Sequence, residues 1–408
     1  PDLVGITAFS CQAERAYKLA AEFRSRGVTV VMGGIHATMR LDEALQYVDS
    51  VVTGEAEEVW PQVLEDARDG TLRRVYHGGI VDVAKVPPAR HDLLPTGYAF
   101  GSVQTTRGCP LNCHFCSVTA FNGKRFRRRP IEHVIEEIKL IEEKLVFIVD
   151  DNLVGTSKAH ITYAKDLFRA LIAANIRKRW VAQVTVNMGE DEELVRLAAK
   201  SGCFGVLIGF ESPAREALIE INKKFNLREG QTSRESVRRL QRNGIAVLGS
   251  FIFGFDVDRT GIGLKLAEAG FSSGVDILSV MFMTPLPGTR LWETMESQAR
   301  IVAKDFPGDW KYYTLNLPVA NYMHLSWDEM VDEFISGFRA FYSYLRIFSR
   351  FFGNLLRTRK VYSNLVALVC NLMFRRNMEL DAQMFKRLDM TRGTPYAKKE
   401  PVRISRPV

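Results

Sequence analysis

Hydrophobic and polar positions along this chain follow a strand rhythm and a helix rhythm that alternate, and then a helix rhythm alone. Over residues 1–80, apolar or β-branched runs at Leu3–Ser10, Val28–Met32 and Ser50–Thr53 alternate with helical spacing at Glu14–Ser25, Leu41–Tyr47 and Ala56–Ala67. Such alternation predicts a parallel sheet with crossover helices. Residues 81–98 lose periodicity, hold Pro87, Pro88, Pro95 and Gly97, and read as a linker. The alternation then resumes. Strands are expected at Ser102–Thr106, Leu145–Val149, Trp180–Val186, Phe204–Phe210, Ile245–Phe253 and Ile277–Met283. Helices are expected between them, at Ile131–Glu143, His160–Ala173, Glu192–Ala199, Arg215–Ile221, Ser233–Arg242 and Leu264–Ala269. Six such repeats over 99–295 are too few for a closed eight-fold barrel and predict a partial one. From 296 to 408 the chain turns helical and aromatic. Trp310–Tyr322 is irregular, and Trp327–Leu356 reads as one long Phe-rich helix. Val361–Phe374 is apolar but too short to span a bilayer, and a loose tail is expected from Arg392. The fold class is α/β: a partial (β/α)6 barrel at 99–295, preceded by a truncated Rossmann-like unit at 1–80 and followed by a helical extension at 296–408.

Composition changes this picture little, since 46% hydrophobic and 25% charged residues among 408 are ordinary for globular chains. Charge changes it more. The net charge is +8, and residues 334–378 hold eight basic side chains and no acidic one. The remainder is near neutral, which excludes a general nucleic-acid surface. Phe- and Arg-rich helices suit peripheral contact with a membrane or an apolar ligand. A cap on the barrel with a solvated basic face explains the same pattern. Cys11, Cys203 and Cys370 are scattered, which is no disulfide framework and suits a reducing cytoplasm. The chain opens on a strand at Leu3, so structure is expected to precede it.

The chemistry concentrates in Thr105–Cys116, where Cys109, Cys113 and Cys116 stand in C-x3-C-x2-C spacing. Thiolates on one short loop are the ligands iron–sulfur clusters take. Three thiolates leave one iron of a four-iron cluster open to bind something else. Structural zinc is the rival, with His114 as fourth ligand, but its place between two of the cysteines strains that geometry. Polar residues mark the other strand ends: Asp150, Asp151 and Asn152, then Asn187, then Glu211 and Ser212. Barrel enzymes place their chemistry at that rim. Two glycine turns, Gly33-Gly34-Ile35-His36 and Gly54-Glu55, end strands of the first unit. Ordinary βα turns explain them as well as ligand contact does.

The cysteine spacing after the first of six βα repeats, with Phe115 before the last cysteine, resembles the radical S-adenosylmethionine (SAM) superfamily. The glycine turns, Asp150-Asp151-Asn152, Gly209-Phe210-Glu211-Ser212 and Pro285-Leu286-Pro287-Gly288-Thr289 are similar to its cobalamin-binding-domain branch, with its hopanoid methylases and anaerobic magnesium-porphyrin ester cyclase. The resemblance covers residues 1 to about 295. It implies a [4Fe–4S] cluster on Cys109, Cys113 and Cys116 that binds SAM and cleaves it reductively. Methionine and a 5′-deoxyadenosyl radical result, and the radical takes hydrogen from an unactivated C–H bond. It further implies SAM contacts from Phe115, Asp150, Asp151, Asn187, Glu211 and Ser212. Cobalamin contacts would come from Gly33, Gly34, His36, Gly54 and Glu55. A flavodoxin or ferredoxin would supply the electron, and the substrate would be a small molecule, lipid or polycyclic in character. None of the seven histidines fits the branch's D-x-H-x-x-G motif, which would lie before Pro1. C-methylation is the expected reaction, with radical cyclisation as the alternative.

Overall fold

The computed structural model describes residues 1–95, 97–227 and 233–396. The first unit is a four-stranded parallel sheet ordered β1 (Leu3–Thr7), β2 (Thr29–Gly33), β3 (Ser50–Thr53) and β4 (Val75–His77). The side chains of β2 and β3 alternate between two buried faces. Val31 and Val52 pack with Val63 and Tyr76, while Val30, Met32 and Val51 join the main core. A sheet covered on both faces explains why these strands read as apolar runs rather than as alternating ones. β4 was not expected, being only three residues long.

The second sheet has six parallel strands: β5 (Phe100–Val103), β8 (Leu145–Ile148), β9 (Arg179–Val184), β10 (Cys203–Glu211), β11 (Ala246–Phe253) and β12 (Ile277–Phe282). Between β5 and β8 lies a two-stranded antiparallel ribbon, β6 (Thr106–Arg107) with β7 (Arg127–Arg128). The six strands are hydrogen-bonded in sequence order with no reversal. Right-handed crossovers then keep the connecting helices on one side, and the sheet forms an open barrel. All six expected strands are present, with ends shifted by up to three residues.

Residues 81–95 are largely irregular, but parts of them pack: Val81 and Val83 are buried, and a 3-10 turn forms at His91–Leu93. The C-terminal region corrects two expectations. Trp327–Leu356 is not one helix but two, Trp327–Phe341 and Tyr344–Thr358. The break falls at Tyr342, whose hydroxyl is held by Leu278 N (3.0 Å) and Leu278 O (2.5 Å) at the start of β12. The apolar run after it extends into a 25-residue helix, Val361–Phe385. Among the described residues no helix is long and apolar enough to cross a membrane. The expected loose tail lies outside the described residues beyond 396, and before that it is docked. Arg392 pairs with Asp309 at 2.9 Å, and Tyr396 N bonds Tyr322 O at 2.8 Å.

One continuous core runs through all three regions, from Ala13 and Tyr17 through the barrel to Phe385. Trp310 and Trp327 are wholly buried in it, and burying side chains of this kind contributes about 2–3 kcal/mol each.

Candidate active site

The site lies where the C-terminal ends of both sheets converge on the cysteine loop. The β6–β7 ribbon pinches that loop at its base, so residues 108–126 leave the barrel rim and return to it. Gly108 makes the turn possible: its φ is +87°, and a Cβ there would sit 2.3 Å from Arg125 O. Asp151 holds the turn from the next strand end, accepting from Gly108 N (2.9 Å) and from Asn122 Nδ2 (3.0 Å). The far side is laced to the segment after β10. His114 N donates to Ile221 O (3.0 Å), His114 Nδ1 lies 3.0 Å from Glu220 O, and Asn222 Nδ2 donates to Asn112 O (3.0 Å). His114 is therefore engaged away from the thiols, which removes the fourth ligand that the zinc reading required.

Burial pushes all three thiols above their usual pKa, Cys113 to about 12 and Cys116 to about 11. Their neighbours add to this: Cys109 and Cys116 raise Cys113, and Cys109 raises Cys116. Mutual repulsion of this kind means the three sulfurs share one small volume, and bound metal would deprotonate them outright. No three His, Cys, Asp or Glu side chains among the described residues converge tightly enough for a single metal ion. Three soft thiols on one short loop are the ligand type a multi-iron cluster takes.

Beside the thiols is a residue that the sequence did not flag. Lys223 is buried, and its Nζ donates to Glu211 Oε1 at 2.8 Å. Burial lowers its pKa, but Glu211, Cys113 and Cys109 raise it further, so the amine stays charged. Glu211 itself sits at φ +66°, a strained conformation for a residue with a side chain, at the end of β10. Buried polar atoms without a protein oxygen or nitrogen partner are Asn187 Oδ1, just past the end of β9, Ser250 Oγ, within β11, and Asn152 Nδ2, whose side chain lies against Cys109. Orphaned donors and acceptors beside a buried ion pair are what a polar, zwitterionic co-substrate such as SAM would satisfy.

The other expected contacts divide. Asp150 is wholly buried and turned away, accepting from Thr105 N (2.6 Å), Thr105 Oγ1 (2.5 Å) and Thr106 Oγ1 (2.8 Å). It positions the strand leading to the cysteine loop rather than facing a ligand, and burial raises its pKa to about 6. Ser212 Oγ accepts from Ala214 N (3.1 Å), which caps the next turn. Phe115 is partly buried against the core.

In the first unit, Gly34 opens a short helix rather than a plain turn, and it lines a cavity. Its φ is +82°, and a Cβ would lie 2.2 Å from Thr7 Oγ1. His36 points inward: it is wholly buried, with Nε2 2.9 Å from Tyr17 OH and Nδ1 3.1 Å from Ser10 Oγ. Both ring nitrogens of His36 are thus engaged by side chains of the first unit. Gly33 packs against Val52, and Gly54 N donates to Thr38 Oγ1 (3.0 Å). Glu55 is buried in a bidentate pair with Arg127, lies 3.3 Å from Arg107 NH1, and accepts from Val81 N (2.9 Å). Glu57 takes the other Arg107 nitrogen at 2.5 Å. The Gly54–Glu57 turn thus clasps the base of the cysteine loop.

Two cavities lie between the units. One, of about 360 Å³, is lined by Thr7, Phe9, Gly34 and Ile35 on one wall, and by Ser117, Asn122 and Asp151 on the other. The second, of about 250 Å³, shares Phe9, Ile35 and Ser117 and adds Met39, Leu286, Pro287 and Leu315.

Known proteins share this arrangement. Residues 103–259 match the radical SAM superfamily. The bacteriochlorophyllide d C-12(1)-methyltransferase of Chlorobaculum tepidum is 30% identical over 365 residues, covering 86% of this chain and 77% of that protein. The bacteriochlorophyllide d C-8(2)-methyltransferase of the same organism is 26% identical over 95% of this chain and 86% of its own length. Among solved structures, the radical SAM methyltransferase TsrM from Kitasatospora setae, with tryptophan and a SAM analogue bound, superposes with a TM-score of 0.64 at 18% identity. That match covers 82% of this chain and 78% of TsrM, and at such identity it speaks to the fold. Enzymes of the matched family use a [4Fe–4S] cluster and SAM, and the matched stretch contains Cys109, Cys113 and Cys116. The chain is a radical SAM enzyme, and it belongs to the radical S-adenosylmethionine superfamily, in the branch with a cobalamin-binding-type domain ahead of the barrel.

Proposed function

We propose that this enzyme methylates a carbon of a hydrophobic, polycyclic small molecule, with a corrinoid seated between the first unit and the barrel. The observation that carries the reading is the pair of adjacent cavities that share Phe9, Ile35 and Ser117 as walls, bounded by the strand ends of one sheet and the cysteine loop of the other. Phe9 is 65% exposed there. The second cavity is walled mostly by apolar side chains, which suits an uncharged, hydrophobic substrate. No described histidine lines either cavity, so a corrinoid would take no imidazole from them.

When bound, the cluster supplies the electron that cleaves SAM, and the corrinoid supplies a methyl carrier. The chain's own residues do the rest. Cys109, Cys113 and Cys116 would hold the cluster. Lys223, charged and paired with Glu211, would offer the carboxylate of SAM a cation, and Asn152, Asn187 and Ser250 would offer its remaining polar groups partners. Asp151 keeps the loop at the cavity wall. The apolar lining excludes water and stray hydrogen donors from the radical. An external one-electron donor is required. We also infer peripheral membrane contact through residues 334–378, from a cytoplasmic location.

The test is anaerobic turnover of the reconstituted protein with candidate polycyclic substrates. Methylation predicts bound corrinoid and S-adenosylhomocysteine formed alongside 5′-deoxyadenosine. 5′-Deoxyadenosine with a substrate-derived product and no S-adenosylhomocysteine would favour radical cyclisation, the second reading.

A further inference from the structure

The base of the barrel, opposite the cysteine loop, carries a surface that the reaction does not use. The helices Tyr344–Thr358 and Val361–Phe385 pack against each other across the N-terminal strand ends. Asn354 Nδ2 reaches Asp276 Oδ1 (2.7 Å) and Asn371 Nδ2 reaches Asp276 O (2.9 Å), just before β12. Tyr362 meets Phe204, at the start of β10, ring to ring. The inward faces combine these engaged polar groups with the buried apolar side chains of Ile347 and Ala367. The outward faces are apolar. On the first helix Leu345, Phe348, Phe352 and Leu356 are 83, 42, 55 and 79% exposed, spaced i, i+3, i+7, i+11. On the second, Val361, Leu365, Val369 and Met373 are 58, 46, 54 and 56% exposed, spaced i, i+4, i+8, i+12. Each stripe runs on the order of 17 Å along its helix.

The barrel adds charge beside them. Arg234, Arg238 and Arg242 recur every fourth residue on the helix Ser233–Arg242 and form no hydrogen bond or ion pair with any described residue. They sit close enough to Arg357 to depress its pKa, after the larger effect of its burial. Arg357 in turn reaches Gln241 Oε1 of that helix (2.6 Å). Like charges are held together here, with Asp276 acting on Arg357 in the opposite sense and Glu235 on the same helix as the arginine row, while residues 334–378 contain no acidic side chain.

We propose that this base docks on an anionic bilayer, with the helix pair lying in the interface and Arg234, Arg238, Arg242 and Arg357 meeting lipid phosphates. The proposal rests on the peripheral-contact reading above and names its partner. Three points select lipid. The apolar stripes lie on the outward faces of packed helices, as in interfacial helices, and arginine stems reach past such stripes to headgroups. A second copy of this chain would bring two cationic faces together. An acidic soluble protein would match the arginines but leave the stripes uncovered.

The full chain would be sedimented with phosphatidylcholine vesicles and with vesicles that also contain phosphatidylglycerol. Binding to the anionic vesicles is expected, weakened by salt and lowered at least ~tenfold in Arg234→Gln/Arg238→Gln/Arg242→Gln. Leu345→Ser/Leu356→Ser is expected to weaken it as well. Circular dichroism and thermal melts confirm that each variant folds, and a single Arg242→Gln, at an exposed helix end, gives a smaller loss if the triple variant does not. Equal binding to both vesicle types overturns the anionic-lipid proposal while leaving peripheral contact standing. Binding to neither overturns both. A dimer in solution that Leu345→Ser/Leu356→Ser dissolves also overturns the proposal, because the face then meets its own copy.

Discussion

Lys223 and Glu211 show how one buried pair ties stability to chemistry. Both side chains are more than nine-tenths buried, and each compensates the other's charge. Lys223→Met would leave Glu211 alone in a low-dielectric site, a loss of about 3–5 kcal/mol by analogy with other broken buried pairs. The double variant Lys223→Met/Glu211→Gln should recover a large part of the melting temperature without recovering SAM binding, measured by calorimetry on the cluster-loaded protein. That separation would distinguish a ligand-facing lysine from a merely structural one. Lys223 was illegible in the sequence because Asn222-Lys223-Lys224 at the end of a helix reads as solvated charge. Only the fold brings it to the thiols. The partners of His36 were illegible too: glycines before a histidine resemble a binding turn, and Tyr17 and Ser10 arrive from elsewhere to engage its ring. The cysteines were legible because three soft ligands in eight residues need no tertiary information.

Among elements, the cysteine loop depends on one backbone position. Gly108→Ala should leave the barrel folded, with near-native far-ultraviolet circular dichroism, but reduce iron per chain by more than half. A methyl group at φ +87° meets Arg125 O and opens the ribbon. The turn after β11 carries a pH dependence. Asp258 is buried, accepts from Gly254 N (2.8 Å) and Phe255 N (3.0 Å), and burial lifts its pKa to about 6. The folded state therefore holds this proton more tightly than the unfolded chain. Its contribution is full at low pH and declines as pH rises from about 4 towards 6, by up to about 3 kcal/mol. The melting temperature of Asp258→Asn should fall less between pH 4 and 7 than that of the parent. The strands were legible because β-branched runs bounded by turn residues are a local signal. The break between Phe341 and Tyr344 was not, because the Phe pattern runs on unbroken while the cause, Leu278 gripping the Tyr342 hydroxyl, lies 64 residues away.

At the scale of the molecule, the first unit and the barrel are joined by charge as well as by a shared core. Glu55→Ala would strand the buried Arg127 and release Arg107 from one of its two carboxylates. The expected outcome is faster proteolysis within residues 78–99 and a shifted cluster reduction potential, measured by spectroelectrochemistry, with iron content retained. A purely local role for Glu55 predicts the proteolysis alone. The same joint has a consequence for engineering. The walls of the two cavities come from residues 7–39, 117–122, 151 and 286–315, four stretches that no single splice can exchange. Loop grafting, the usual route to new specificity on barrel scaffolds, would alter one wall and leave the others shaped for the old occupant. Changing what this protein accepts calls for libraries that vary Phe9, Met39 and Leu315 together, and selection should return them as linked sets rather than as independent improvements.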